Sequence, residues 1–196
     1  MTGRRDKARV SAACLLLLLC VGSQAWAKDW TVDLAQSRLR FSATQQAAAF
    51  DGAFLKFDAK VRFDPAKPAD GQITASIQTG SIDTQNAERD GYLRDADWFD
   101  VRKWPLASFK TRKITQAAAP SSFSSAADLT IRDRTRPVMF NFTFAVQKDG
   151  TARLTGTADL KRLDFNVGSG MWTNTDWVGN EVRVSVDLLL RPAIKP

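Results

Sequence analysis

Apolar and polar residues alternate with a period of two along most of the chain. Phe57, Ala59, Val61 and Phe63 alternate with Lys56, Asp58, Lys60 and Arg62. A strand with that pattern has one apolar and one wet face. Asp64-Pro65 ends it, because proline has no amide to give to a ladder. Ile73, Ala75, Ile77 and Thr79 repeat the pattern, and so do Val138, Phe140, Phe142, Phe144 and Val146. Lys148-Asp149-Gly150 predicts a hairpin turn, after which Leu154, Gly156, Ala158 and Leu160 share one face. In the last strand Val182, Val184, Val186, Leu188 and Leu190 face inward, with Arg183, Ser185 and Asp187 outward. Leu39-Phe41-Ala43 and Leu129-Ile131 mark two shorter strands, and Ala107 to Ile114 marks another. The Ala/Ser-rich stretch from Gln116 to Ala127 reads as a hairpin tip.

One stretch departs from this period. Asp83 to Leu93 has cap residues followed by a short helix-compatible turn, and it runs on into Trp98-Phe99, flanked by Asp95, Asp97 and Asp100. It predicts a helix pair or an ordered loop over one end of the sheet. No linker, repeat or second domain is visible. About eight strands joined by turns suggest a closed antiparallel barrel or a sandwich. An eight-stranded barrel is either filled by its own side chains or holds one small ligand. Small inward residues (Ala59, Ala75, Gly156, Ala158) leave room that the phenylalanines could fill, so the pattern alone leaves both states open. If room exists, leucine at Gly156 or Ala158 is expected to enter it at little cost.

The first residues change the charge balance. Arg4, Arg5, Lys7 and Arg9 precede an apolar run from Ala12 to Val21, too short for a bilayer, which needs about 20 such residues. Ala25-Trp26-Ala27 follows. This is the order of a cleavable secretory signal peptide, so residues 1–27 are expected to be removed and residues 28–196 to form one domain. Of 28 basic and 21 acidic residues, four and one precede Lys28, which leaves +4 of the net +7. The remaining charges alternate in sign, a solvated pattern and not a nucleic-acid stripe. Both cysteines, Cys14 and Cys20, fall in the leader. The remainder therefore has no thiol for a disulfide, a nucleophile or a metal site.

The chain contains no histidine. That excludes Ser-His-Asp and Cys-His catalysis, histidine metal sites and a histidine proton shuttle. Asp95, Asp97 and Asp100 lack the glycine turn and bidentate glutamate of a calcium loop. Arg89-Asp90 reads as a pair tying a loop to the barrel rim. Only Glu88 and Glu181 supplement the aspartates for carboxylate hydrolysis. No catalytic residue, metal or cofactor is expected.

A set of short segments in fixed order carries a resemblance. They include Trp30-Thr31-Val32-Asp33, Phe50-Asp51-Gly52-Ala53-Phe54, Phe63-Asp64-Pro65 and Ser81-Ile82-Asp83-Thr84. Next come Arg89-Asp90-Gly91-Tyr92-Leu93, Trp98-Phe99-Asp100-Val101 and Lys103-Trp104-Pro105. Thr135-Arg136-Pro137-Val138, Arg162-Leu163-Asp164-Phe165 and Val178-Gly179-Asn180-Glu181-Val182 complete the order. In that order the chain resembles the YceI-like family of periplasmic polyisoprenoid-binding proteins. The resemblance implies an all-β, extended, eight-stranded antiparallel, lipocalin-like barrel with a short helical or loop segment over one end. It implies a periplasmic, non-enzymatic protein whose tunnel holds an isoprenoid lipid, such as a quinone or its precursor. The implied walls are Leu39, Phe41, Phe57, Phe63, Ile77, Phe109, Ile131, Phe140, Phe142, Phe144 and Phe165. Leu93 and Phe99 would form the gate, with Trp172 as a headgroup platform or plug beside Trp177. A membrane surface and a second copy of the chain stay open as partners. A filled barrel acting as a stress-related interaction module and a carboxylate hydrolase are the competing readings.

The chain departs from the family pattern in places. Gln36, Gln45 and Tyr92 stand where the family often has His, and Asn166 follows Phe165 where Gly is frequent. The apolar tunnel does not depend on these positions; a headgroup or metal contact made by histidine would.

Overall fold

The computed structural model describes residues 28–193. The expected leader over residues 1–27 lies outside the described residues. The strands are β1 (Asp29–Val32), β2 (Arg38–Gln45), β3 (Ala48–Phe54), β4 (Phe57–Arg62), β5 (Gln72–Gln78), β6 (Ile82–Asp83), β7 (Leu106–Gln116), β8 (Ser122–Ile131), β9 (Arg134–Val146), β10 (Ala152–Lys161) and β11 (Glu181–Pro192). The one α-helix among the described residues is α1 (Ala87–Arg94). Hydrogen bonding runs β1-β4-β5-β7-β8-β9-β10-β11, and β11 pairs back onto β1. β2, β3 and β6 prolong β1, β4 and β5 past short interruptions, with β2 pairing to both β11 and β3. The result is a closed, antiparallel barrel of eight staves. Closure leaves few edges to template association.

The first stave is broken by a 3-10 turn at Leu34–Gln36. Ser37, buried at the break, donates its hydroxyl to Asp33 O (2.7 Å) and accepts from Leu189 N–H (3.1 Å). The interruption therefore leaves these buried backbone groups paired, as burial requires.

The alternation of the sequence survives in detail. Along β9, Val138, Phe140, Phe142 and Phe144 are buried, and Met139, Asn141, Thr143 and Ala145 are exposed. Val146 departs from its row: it lies 58% exposed, where the strand runs past the barrel end. The hairpin tip expected over Gln116–Ala127 is a second correction. β7 continues to Gln116 and β8 begins at Ser122, so the turn is only residues 117–121. Phe123, Ser125 and Ala127 are buried in the same row as Leu129 and Ile131. Serine and alanine hid the inward row because they carry little hydrophobicity, although small residues fit a crowded interior well.

The connections divide the barrel into two unequal ends. At one end, residues 63–71, 117–121 and 147–151 make compact links. At the other, the chain makes two long excursions, residues 84–105 and 162–180. The first excursion contains α1, where Asn86 caps the helix by accepting from Arg89 N–H at 3.0 Å.

Candidate functional site

The compact end is filled. Phe63 lies within 4.9–5.5 Å (ring centroids) of Phe123, Phe142 and Phe144, and Trp30 packs edge-on against Phe144 at 5.4 Å. Such edge-to-face pairs add to the area they bury. The Trp30 indole donates to Phe63 O at 3.0 Å. Ile114, Leu154 and Leu190 complete this plug, all fully buried.

Above the plug the interior opens into a cavity of about 360 Å³. Phe140 forms part of its floor, stacked on Phe142 at 5.2 Å and edge-on to Phe109 at 5.3 Å. Leu39, Phe41, Phe57, Ile77 and Ile131 face it from other staves. Leu93, Phe99 and Trp172 close over it from the two excursions. Phe63, Phe142, Phe144 and Phe165 do not line it, which corrects four of the implied walls. The first three belong to the plug, and Phe165 is buried within the 3-10 turn Arg162–Phe165. Alternation along a strand gives the side a residue faces, but not its depth along the barrel.

The structure adds walls on β3 that the period-two reading passed over, and makes walls of valines it had only turned inward. Phe50 and Phe54 on β3 line the cavity, as do Val182, Val184 and Val186 on β11. The β3 row runs Ala48, Phe50, Gly52, Phe54, and its glycine broke the apolar signal. That glycine is where the Phe41 ring lies, so any Cβ there would collide with it. Gly156 serves Phe140 likewise: a Cβ would sit 2.5 Å from the Phe140 ring and 3.0 Å from Phe142 Cβ. The room opposite Phe140 is therefore already used by its ring, which corrects the expectation of free space at Gly156. Ala158 does border the cavity.

Polar groups gather at the mouth. Gln45, Asn86, Glu88, Arg89 and Tyr92 line it. The Arg89 guanidinium lies over Phe50 at 4.1 Å, a favourable cation–π placement. Arg89 Nε and Trp98 Nε1 are buried donors without a partner. Asp90 is buried and accepts from Thr84 N–H (2.9 Å) and Thr84 Oγ1–H (2.8 Å), and Arg94 donates to Gly80 O and Ile82 O. These bonds tie α1 to the rim. Of the three positions where histidine is frequent in the family, Gln45 and Tyr92 stand at the mouth. Gln36 lies in the 3-10 turn after β1, bonded to Asp33.

The second excursion is organised by Arg162, a residue no periodic signal singles out. It is only 4% exposed. Its five N–H groups donate to the carbonyls of Val167, Gly168, Trp172, Val178 and Gly179 at 2.6–3.1 Å. Burial lowers its pKa below the ordinary guanidinium value, yet arginine remains charged in proteins. A planar fork of five donors suits this task, and lysine could not reproduce it. Arg132 ties the excursions together, donating to Trp98 O (2.8 Å) and Asn166 O (2.7 Å). Asn166 itself has φ +57°, the left-handed region that glycine enters freely and asparagine tolerates, which accounts for its place after Phe165.

Among the described residues, no three or more His, Cys, Asp or Glu side chains are grouped to hold a metal ion. Asp97 instead ties the two excursions together: its backbone carbonyl accepts from Gly168 and Ser169 N–H, both at 2.8 Å, and its carboxylate accepts from Ser169 Oγ–H at 3.1 Å.

This geometry agrees with comparison to known proteins. The model of the YceI-like domain matches residues 30–190. The chain belongs to the YceI-like family. Among relatives, a UPF0312 protein of Ectopseudomonas mendocina is 30% identical over 164 residues, covering 80% of this chain and 85% of its own. A UPF0312 protein of Vibrio cholerae is 28% identical over 172 residues, covering 82% and 89%. Among solved structures, BcnA of Burkholderia cenocepacia is similar at TM-score 0.76 and 34% identity, over 81% of this chain and 98% of that one. A polyisoprenoid binding domain from Saccharophagus degradans shares the fold at TM-score 0.67 and 12% identity, over 84% and 98%. The YceI-like barrel thus extends through β1 to β11, with both excursions inside the matched region.

Proposed function

We propose that this YceI-like protein binds an amphiphilic lipid with a long isoprenoid tail, a quinone or quinone precursor, and carries or stores it in the periplasm without altering it. The observation that carries this reading is the apolar cavity of about 360 Å³, walled from every stave and opening at a polar mouth. Such a shape suits a long apolar tail with a polar head. Each buried CH₂ contributes about 0.8 kcal/mol, so a few isoprene units offset the ordering cost of binding. A headgroup carrying hydrogen-bond acceptors fits the unpartnered donors Arg89 Nε and Trp98 Nε1 beside the opening. A polyisoprenoid binding domain sharing this barrel supports the choice of tail. Apart from Arg162, whose N–H groups are all given to backbone carbonyls, the polar side chains at the cavity stand at its mouth, away from where a tail would lie, and the reading includes no reaction.

Organic-solvent extraction of the purified protein followed by mass spectrometry tests the reading. An isoprenoid lipid approaching one per protein is expected. Recovery of no lipid, together with failure to take up a quinone supplied in detergent, would overturn it.

A further inference from the structure

The lip of the mouth differs from the barrel walls in charge. Residues 41–50 and 165–175 contain no Asp, Glu, Lys or Arg, in a chain whose residues are 25% charged. The fold joins the first of these segments to residues 177–179, just past the second and across one exposed charge, Asp176. Gln46 N–H donates to Trp177 O and Gly179 N–H to Thr44 O, both at 2.9 Å, and Gln45 pairs with Val178. Ala47, Ala48 and Ala49 are exposed at the hairpin tip. Trp177 is 47% exposed and Met171 62%. Trp172 links them to the cavity, 6.5 Å from Trp177 and 5.9 Å from half-exposed Tyr92. Glu88 and Arg89 lie on the α1 side of the opening, and Asp97 is drawn inward against Gly168 to Gly170, its carboxylate accepting from Ser169 Oγ–H at 3.1 Å. The barrel walls, by contrast, carry paired Arg112–Asp128, Arg153–Asp187 and Arg183–Asp159.

The geometry points to this lip as a docking surface for a lipid bilayer, through which the cavity is loaded. The choice of a bilayer rests on the carrier reading: a tail insoluble in water must pass from its source without crossing solvent, and the lip borders the mouth of the cavity. Tryptophan and tyrosine settle at the headgroup level of membranes because they have an apolar body and a polar edge. The lip has no basic cluster, so docking runs on apolar insertion and needs no anionic lipid.

Flotation with vesicles of phosphatidylcholine alone, and of phosphatidylcholine mixed with phosphatidylglycerol, tests this at low and high salt. Binding to both compositions, insensitive to salt, is expected. The double variant Met171→Ser/Trp177→Ser should weaken it about tenfold or more, the amount that losing one or two inserted apolar side chains gives. Ala48→Asp, a charge at the exposed tip, should do the same by a different route. Neither variant touches a cavity wall, so both should still take up a quinone supplied in detergent. Binding that requires phosphatidylglycerol and disappears in salt overturns the proposal. So does flotation that both variants leave intact, or a lip whose variants abolish self-association in sedimentation instead. A protein that floats but takes up no quinone keeps the docking surface and overturns the carrier; one that takes up quinone but does not float does the reverse.

Discussion

Phe140 and Phe142 sit two residues apart on β9 and face the same interior, yet Phe142 is sealed in the plug and Phe140 borders open space. At the level of Phe142 and Phe144 the other staves supply large residues: Trp30, Phe63, Ile114, Phe123, Leu154 and Leu190. One level higher they supply small ones. Ala59 faces Ala75 across β4 and β5, and Ala107 and Ala158 lie at the same half, whereas Gly156, paired with Phe142, gives its space to the Phe140 ring. The backbone is the same continuous barrel in both halves. Residue size at each level, and not strand count, decides which half is solid and which is hollow. The two long excursions then cover only the hollow half.

The sharpest test of this contrast is to remove one ring from each half. Phe63→Ala should cost about 3–5 kcal/mol, since the surrounding rings cannot collapse into the space left. Phe57→Ala, beside existing space, should cost clearly less. Chemical denaturation of both variants checks this, and equal losses would erase the distinction between halves. Arg162→Met comes next. It strands several buried carbonyls, each costing about 1–3 kcal/mol when unpaired. The damage should stay in the cover: hydrogen exchange should accelerate over residues 162–180 while β8 and β9 keep their protection.

A smaller and more pointed effect is expected on β10. Gly156→Leu should overpack against Phe140 and cost about 1–3 kcal/mol. Ala158→Leu should enter the cavity, leave thermal stability nearly unchanged and lower lipid uptake. Two variants of equal stability would mean that the two positions share one environment.

The smallest effect concerns pH and should not distinguish the halves. Hydrogen bonds from Arg191, Arg112, Thr151 and Arg183 hold the carboxyls of Asp33, Asp128, Asp149 and Asp159 respectively below the ordinary carboxylate value. Their stabilisation is present above that ordinary value, about 3.8, and is lost as pH falls through the lower folded-state values. All four are at the surface, where pairs contribute little. A pH titration of thermal stability should therefore stay level near neutrality and decline only in strong acid.

The sequence revealed this barrel because strands with one wet face write a period of two. Inward rows such as Leu154-Gly156-Ala158-Leu160 matched their buried positions. Rows built from small residues were the hard ones: β8 was shortened because Ser125 and Ala127 look polar or neutral, and β3 was missed because Gly52 interrupts Phe50 and Phe54. For the cavity, inward direction was legible and depth was not. Depth depends on the stagger between staves, which is why Phe63, Phe142 and Phe144 were placed with the walls. The role of Arg162, a residue seen only as part of a family segment, was invisible for another reason. That role exists only once the five carbonyls of the second excursion, from Val167 to Gly179, have been folded around it.

The aromatic plug has a final consequence. A barrel solid at one end is a blind vessel, with a single route for entry and exit. A chain molecule must go in tail first and come out head first, and its head always waits at the lip. Tails longer than the distance from lip to Phe140 gain no depth; their excess stays near the opening. The floor thus works as a ruler, and moving it, by enlarging or trimming the residues around Phe140, should change which chain length fits best without altering which headgroup is held.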